Sequence, residues 1–178
     1  MSEPQAPASA SAPAADATAA LIAALADRGL TVAVAESLTG GELTAELTRP
    51  AGASAVVNGG VVVYATQIKH TVVGVDEGLL AEHGPVHPDV ARQLAERVRV
   101  VLAVDGRAAD IGLSTTGVAG PDPQGGRPVG TVFVGVASGA RTLVVPLELE
   151  GDRAAIRAAA VRSAVAALAS AVSDNTQE

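Results

Sequence analysis

The sequence predicts an α/β domain of three layers, with helices on both faces of a mixed, mostly parallel sheet. Segments of strand length alternate with helical segments along the chain, and residues 138–141 carry the signal of a tight hairpin. Hydrophobic residues make up 48% of the 178 residues, whereas aromatic residues make up only 1%. The predicted core therefore consists of aliphatic side chains and alanine.

Start and stop signals divide the first half of the chain. Residues 16–27 have leucines and an isoleucine at helical spacing, and a glycine follows as a stop signal. Residues 31–36 are typical of a short strand, and residues 41–49 of a helix that ends at a proline. A β-rich segment then covers residues 56–64, where Gly59-Gly60 indicates a bulge.

Three helices are predicted between the second and third strands. Thr66 is expected to cap the first, which reaches Val73, and Asp76 to cap the second, which ends at His83. Pro88 suits the first position of the third and longer helix. The apolar stripe of this helix consists of Val90, Leu94, Val98, Val101 and Leu102.

The C-terminal third of the chain holds the remaining strands and one helix. Strands are predicted at residues 110–115, 129–137 and 142–149, of which the last two form the hairpin. Asp152 is expected to cap an Ala-rich helix that runs to about Ala171. Helices interleaved with strands, together with one hairpin, predict the mixed sheet.

Composition also sets the expected domain limits. Residues 1–15 are a low-complexity Ala/Pro/Ser segment that we predict to be disordered. Residues 16–171 are predicted to form a single domain, because their length suits one core. Residues 172–178 are expected to form a frayed C-terminus.

The overall composition argues against several classes of function. A net charge of −7 argues against binding of nucleic acid, and the scarcity of aromatics argues against a base-stacking platform. Cysteine is absent and the three histidines lack ligand spacing, so no metal and no other cofactor is expected. No apolar run in the sequence reaches membrane-spanning length, and no lysine or arginine precedes Arg28 to form a basic leader region. We therefore expect a cytoplasmic protein with no membrane partner.

A serine follows the first predicted strand, at the point where α/β folds bind ligands. Ser37 lies in the segment ESLTGG at residues 36–41 and is expected to project into the ligand crevice. The N–H groups near Thr39, Gly40 and Gly41 begin the next helix and can bind an anion or an oxyanion. The structural alternative is a Ser/Thr cap on a glycine-rich turn.

Lysine occurs once in the chain, at Lys69, against eleven arginines, and Tyr64 is the one tyrosine. Lysine can lose its proton in a desolvated pocket, whereas arginine effectively cannot. A neutral Lys69 can deprotonate a serine hydroxyl, as in Ser–Lys hydrolases. The alternative is a solitary lysine that lies on the surface.

Two further segments are candidates for contacts with a ligand. The loop at residues 115–130 is rich in glycine and proline, and consecutive N–H groups in such a loop form anion-binding nests. An ordinary long surface loop is the alternative. Arg153 is either a solvated residue in the first turn of the last helix or a contact to a phosphate or carboxylate.

Five segments of the chain occur in an order that resembles one family. They are AESLTGG at 35–41, GGVVVYATQIK at 59–69, TGVAGPD at 116–122, PVGTVFV at 128–134 and GDRAAIR at 151–157. Over about residues 16–170 the chain is thereby similar to the CinA C-terminal domain family. The resemblance implies a fold of the anticodon-binding-domain type. It also implies metal-independent hydrolysis of the carboxamide of nicotinamide mononucleotide, which gives nicotinate mononucleotide and ammonia.

The resemblance also implies roles for individual residues. Ser37 falls on the position of the nucleophile and Lys69 on that of the base. Tyr64 is expected to hydrogen-bond within their network or to help relay a proton. Contacts to the nucleotide substrate are expected from Thr39, Gly40, Gly41, Thr116, Gly117, Gly120 and Arg153.

Several questions about function stay open at the level of the sequence. One alternative is an amidase of the same mechanism that acts on another small amide. A second is a non-catalytic nucleotide-binding or interaction module linked to competence or DNA damage. The family and the Val/Ala-rich composition also indicate a homo-oligomer, at least a dimer.

Overall fold

A computed structural model of the chain describes residues 16–174. The predicted disordered segment 1–15 and residues 175–178 of the predicted frayed end lie outside the described residues. The prediction is wrong for residues 172–174, which form the end of the last helix. That helix continues because Val172 is buried in the core and holds its final turn against the domain.

The described residues form six α-helices and five strands in the predicted order. The helices are α1 Ala17–Asp27, α2 Glu42–Thr48, α3 Thr66–Val73, α4 Glu77–His83, α5 Pro88–Val101 and α6 Arg153–Asp174. The strands are β1 Val32–Glu36, β2 Val57–Val62, β3 Ile111–Gly117, β4 Thr131–Ser138 and β5 Arg141–Glu148.

The five strands form one mixed sheet in the order β2-β1-β3-β4-β5. Strand β1 pairs in parallel with both β2 and β3, and β4 runs antiparallel to β3 and to β5. Four strands therefore point the same way and β4 opposes them. The predicted hairpin is confirmed, because Ser138 pairs with Arg141 across a two-residue turn.

Helices cover both faces of the sheet, which confirms the three-layer α/β/α architecture. One core cluster joins the sheet to α1, α2 and α6 through residues such as Leu25, Leu43 and Leu168. The other joins the opposite face to α3, α4 and α5 through residues such as Val73 and Leu94. Both clusters are aliphatic, as the composition predicts.

Two local predictions about the helices are wrong. Thr66 is the first residue of α3 and does not cap it; the cap position is Ala65, which makes no side-chain hydrogen bond. Val101 is 42% exposed, because it lies in the last turn of α5, outside the buried stripe. Ala91 and Ala95 are buried instead and allow α5 to pack closely on the sheet.

Helix α6 is long and apolar enough to cross a membrane by length and composition alone, with a mean hydropathy of 1.5 over residues 153–173. The same helix buries Ile156, Ala160, Ala164 and Leu168 in the core. Helices that are buried against a sheet meet the same criteria of length and composition as helices that cross a membrane.

The parallel part of the sheet positions the candidate site. Strands β1, β2 and β3 end at the same edge because they run in the same direction. Ser37 follows β1 at this edge, and Val63 and Tyr64 follow β2. Helix α3 begins two residues after Tyr64, so its side chains return to the edge of the sheet that carries Ser37.

Candidate active site

A cavity of about 310 Å³ opens at the carboxyl edge of the parallel strands. Its floor contains Ser37 and Lys69, and one wall is the loop at residues 116–124. Tyr64 and Arg153 lie at its mouth, where both side chains are exposed. The cavity therefore gathers seven of the ten predicted site residues from separate parts of the chain, Gly117 and Gly120 among them.

Ser37 and Lys69 are in direct contact although they lie 32 residues apart in sequence. The Nζ atom of Lys69 lies 3.0 Å from the Oγ atom of Ser37. The same Nζ donates to the carbonyl of Val63 at 2.7 Å and to that of Tyr64 at 3.2 Å. The structure thus brings the two residues together, and their roles as nucleophile and base stay a prediction.

Lys69 is fully buried and has no carboxylate partner among the described residues. Desolvation by this burial lowers the pKa of Lys69 from 10.5 to about 8. Roughly a tenth of the molecules thus carry a neutral amine at pH 7. Arginine in this position stays charged at every accessible pH.

The pKa of Lys69 predicts a pH-dependent stability. Between pH 8 and pH 10.5 the unfolded lysine still binds a proton that the native one has lost, so raising the pH stabilises the native state. We expect the free energy of unfolding of the native protein to rise by about 3 kcal/mol over this range, relative to that of Lys69→Met. Urea unfolding of both proteins at the two limits measures the difference, and a difference independent of pH contradicts the prediction.

The backbone and the side chain of Tyr64 make separate contacts at the site. Its carbonyl accepts from Lys69, whereas its exposed hydroxyl accepts from Nη2 of Arg153 at 2.9 Å. Nη1 of Arg153 donates to the carbonyl of Gly120 at 2.8 Å. The expected hydrogen bond from the Tyr64 side chain to Ser37 or Lys69 is therefore absent from the described structure. Tyr64 and Arg153 instead join the two sides of the cavity mouth.

Thr116 and Gly117 lie at the end of β3 and line the cavity, as predicted. Thr116 is fully buried, and its hydroxyl donates to the carbonyl of Pro85 at 2.7 Å. This bond ties β3 to the segment that leads into α5. The Thr116 hydroxyl keeps its acceptor lone pairs for a further contact.

The turn after Ser37 differs from the predicted anion site. The amide of Gly41 donates to Oε2 of Glu36 at 2.9 Å, and the amide of Gly40 donates to the carbonyl of Ser37 at 3.1 Å. These two N–H groups are thus already bonded within the protein, and neither glycine lines the cavity. Their contact with a substrate anion stays a prediction that this hydrogen bonding does not favour, because the carbonyl of Ser37 and the carboxylate of Glu36 already accept from them.

Glu36 is a structural residue that sequence reasoning missed. It is fully buried, and its carboxylate also accepts from the amides of Leu43 and Thr44 and from the Thr44 hydroxyl, at 2.6–3.1 Å. A negative charge at a helix N-terminus is favourable because the free N–H groups and the helix dipole point at it. Glu36 therefore fixes the start of α2 against the end of β1.

We expect Glu36→Gln to lower the free energy of unfolding by about 2–4 kcal/mol, because an amide nitrogen faces N–H donors and leaves them unsatisfied. The matched control is Glu42→Gln, in the exposed first turn of the same helix, with an expected loss of about 0.5 kcal/mol or less. Urea unfolding compares the two variants. Equal losses would show that the charge of Glu36 has no special role.

Thr39 points inward and does not line the cavity. It is fully buried, and its hydroxyl lies 2.8 Å from that of Thr115. Its predicted substrate contact is therefore not made by its side chain. Among the described residues, the amides of Leu38 and Thr39 donate no hydrogen bond, which leaves two free donors directly after Ser37.

The described residues contain no cluster of three or more potential metal-ligating side chains. His87, at the start of α5, caps that helix by accepting from the amide of Asp89 at 3.2 Å. Its ring stacks on His83 with centroids 4.5 Å apart. Both histidines thus have contacts outside the Ser37–Lys69 pair.

Comparison with known proteins agrees with the resemblance found in the sequence. The family described as "CinA C-terminal domain" matches residues 14–172. A "CinA-like protein" of Frankia casuarinae is 49% identical over 79% of this chain and 31% of its own length. A "putative competence-damage inducible protein" of Geobacillus kaustophilus is 50% identical over 75% of this chain and 31% of its own length. The chain spans about a third of the length of these relatives.

Solved structures give the same assignment. A CinA superfamily protein from Klebsiella pneumoniae superposes with a TM-score of 0.83 at 31% identity, covering 89% of this chain and 96% of that one. The competence/damage inducible protein CihA from Agrobacterium tumefaciens gives a TM-score of 0.79 at 31% identity, covering 88% and 93%. By fold and by sequence, the chain belongs to the CinA family and corresponds to its C-terminal domain.

Proposed function

We propose that the chain hydrolyses the carboxamide of nicotinamide mononucleotide to nicotinate mononucleotide and ammonia, with Ser37 as nucleophile and Lys69 as general base. The observation that carries this proposal is the 3.0 Å contact between a buried lysine amine and a serine hydroxyl at the floor of a cavity. A nucleophile within hydrogen-bond reach of a base is the arrangement that covalent hydrolases require.

The two carbonyl acceptors orient the amine for this role. A protonated Lys69 donates its three N–H bonds to Ser37, Val63 and Tyr64. When the proton leaves, the two carbonyls retain the two remaining N–H bonds, because a carbonyl oxygen can only accept. The lone pair of Nζ then faces the Oγ–H bond of Ser37. A neutral lysine held in this way is a base aimed at one hydroxyl.

The reaction follows from this geometry in two stages. Oγ of Ser37 forms a bond to the carboxamide carbon while its proton moves to Nζ of Lys69. The C–N bond then breaks, Lys69 returns the proton to the leaving nitrogen, and ammonia departs from an acyl ester. Water attacks the ester, gives a proton to Lys69, and the acid leaves as Oγ regains that proton.

The free amide of Leu38, which lines the cavity, is the best donor for the oxyanion, and the free amide of the buried Thr39 follows it directly. The amide that follows a nucleophilic serine is a common oxyanion donor in serine hydrolases. The neighbouring amides of Gly40 and Gly41 are already bonded to Ser37 and Glu36. Backbone donors held in advance stabilise the charge that develops on the carbonyl oxygen.

Charge at the mouth of the cavity supports a phosphorylated substrate. Of the residues that line the cavity, Lys69 at the floor and Arg153 at the mouth are basic, and Asp122 of the loop is the acidic one. Arg153 is exposed at the mouth, on the same wall as the glycine-rich loop. A guanidinium can bind a phosphate in bidentate fashion. We therefore assign the phosphate to the mouth and the carboxamide to the floor.

Ammonia release with a panel of amides tests the proposed substrate. Nicotinamide mononucleotide, nicotinamide riboside, nicotinamide and NAD are compared at equal concentration with a chelator present. We expect the mononucleotide to give the highest kcat/KM, and loss of the phosphate to raise KM. A faster amide in the panel would support an amidase for another substrate. Thermal stabilisation by the mononucleotide without ammonia would support a binding module.

A further inference from the structure

We propose that Arg157 is a positioning residue that orients the oxyanion-binding amides beside Ser37. The inference rests on the proposed function, because it assumes that Ser37 is the nucleophile. Arg157 lies on α6, one turn after Arg153, and is partly buried. Its hydrogen bonds run to the turn that follows Ser37 and not to Ser37 itself.

The guanidinium of Arg157 holds two successive peptide groups. Its Nε donates to the carbonyl of Leu38 and its Nη2 to the carbonyl of Thr39, each at 3.0 Å. A trans peptide carries its C=O and N–H on opposite sides. The first bond therefore turns the amide of Thr39 away from the guanidinium, and the second does the same for the amide of Gly40.

The bond from Arg157 to the carbonyl of Thr39 also fixes the direction of the Leu38 amide, through Gly40. The amide of Gly40, turned away from Arg157, donates to the carbonyl of Ser37 at 3.1 Å. That carbonyl shares a peptide plane with the amide of Leu38, whose direction is thereby fixed. Arg157 thus sets the direction of both free amides, one directly and one through Gly40.

The surroundings of Arg157 fit this positioning role. Gly40 has a φ of +61°, and a Cβ atom there would lie 3.2 Å from Nη2 of Arg157, so glycine allows the guanidinium to approach the backbone. Nη2 also forms an ion pair with Oε1 of Glu42 at 2.8 Å. The planar fork offers these two carbonyls separate nitrogens at a fixed spacing, a geometry that a lysine, whose donors all lie on one atom, does not reproduce.

Covalent modification of Ser37 by a fluorophosphonate tests the inference without any assumption about the natural substrate. Oγ of Ser37 bonds to phosphorus, fluoride leaves, and Lys69 takes the proton; peptide mass locates the product. The full chain is compared with Arg157→Lys and Arg157→Gln. Matched controls are Arg162→Lys, an exposed arginine on the same helix, and Glu42→Gln, which removes the ion pair but keeps the carbonyl contacts.

We expect both Arg157 variants to lower the maximal rate of modification at least about tenfold, because a misdirected oxyanion donor costs rate. The concentration of probe for half-maximal rate and the pH dependence through Lys69 stay unchanged, which a general loss of structure would not give. Both controls retain the native rate within about twofold.

Two results overturn the inference, and they are distinguishable. If either Arg157 variant is folded by circular dichroism and is modified at the native rate, Arg157 does not position the site, and the proposed function stands. If Ser37 of the native chain is not modified at all, the nucleophile of the proposed function is wrong, and the role of Arg157 falls with it.

Discussion

Ser37→Ala is expected to reduce ammonia release from nicotinamide mononucleotide by at least about 10³-fold, because among the described residues Ser37 carries the one hydroxyl that contacts the amine of Lys69. The serine is buried at the floor of the cavity, and its Oγ contacts Nζ of Lys69. Alanine removes one oxygen atom and leaves the turn and its backbone contacts in place. The fold and the affinity for the nucleotide should therefore persist while kcat falls.

The control for this substitution is Ser170→Ala, an exposed serine on α6. It should leave kcat and KM unchanged. Thermal stabilisation by the mononucleotide shows that the Ser37 variant still binds. Turnover by the Ser37 variant at more than about a tenth of the native rate would remove Ser37 from the chemistry.

Lys69→Arg is expected to lower kcat by about 10²- to 10⁴-fold, because arginine keeps the positive charge but cannot accept the proton of Ser37. Lys69→Met, which is closer to lysine in length, should be equally inactive. The arginine variant keeps the positive charge and the methionine variant lacks it. Equal loss of activity in both therefore assigns the effect to the basicity of Lys69 and not to its charge. Native-like activity of the arginine variant would exclude Lys69 as the base.

The native enzyme should show a matching pH dependence. The neutral amine is the active form, so kcat/KM rises with pH and levels off above the pKa of Lys69, which burial lowers to about 8. Below that pKa the rate falls about tenfold for each pH unit, as the neutral fraction does. A rate that is flat between pH 6 and pH 9 would contradict the role of Lys69.

The fold was largely predictable because its signals are local. Asp76 and Asp152 each accept from the amide three residues later at the start of a helix, as their sequence positions predict, and Asp16 does the same at the start of α1. Glycines in turns and the apolar segments between them predict the other helices and strands. The end of α6 was harder to place, because the packing of Val172 against distant residues decides it.

The Ser37–Lys69 pair was predictable for a different reason. A single lysine among arginines indicates a property that arginine lacks, and both residues lie near the ends of predicted parallel strands. Their separation of 3.0 Å depends on the topology, in which β1 and β2 are neighbours. The sequence could indicate the two partners but not their contact.

The role of Glu36 could not be predicted, because β1 is buried on both faces. A strand of this kind has no alternation of polar and apolar residues to show where a given side chain points. The contacts of Arg157 with Leu38 and Thr39 join residues more than a hundred positions apart, so no local pattern reports them.

Partition of the acyl ester between water and hydroxylamine tests the central claim most directly. An ester on Ser37 is open to either nucleophile, so turnover of nicotinamide mononucleotide with hydroxylamine present should yield the hydroxamate of nicotinate mononucleotide in proportion to the hydroxylamine added. Direct attack of water on the carboxamide forms no such ester. Unchanged formation of nicotinate mononucleotide with no hydroxamate at any concentration would contradict covalent catalysis by Ser37 and Lys69.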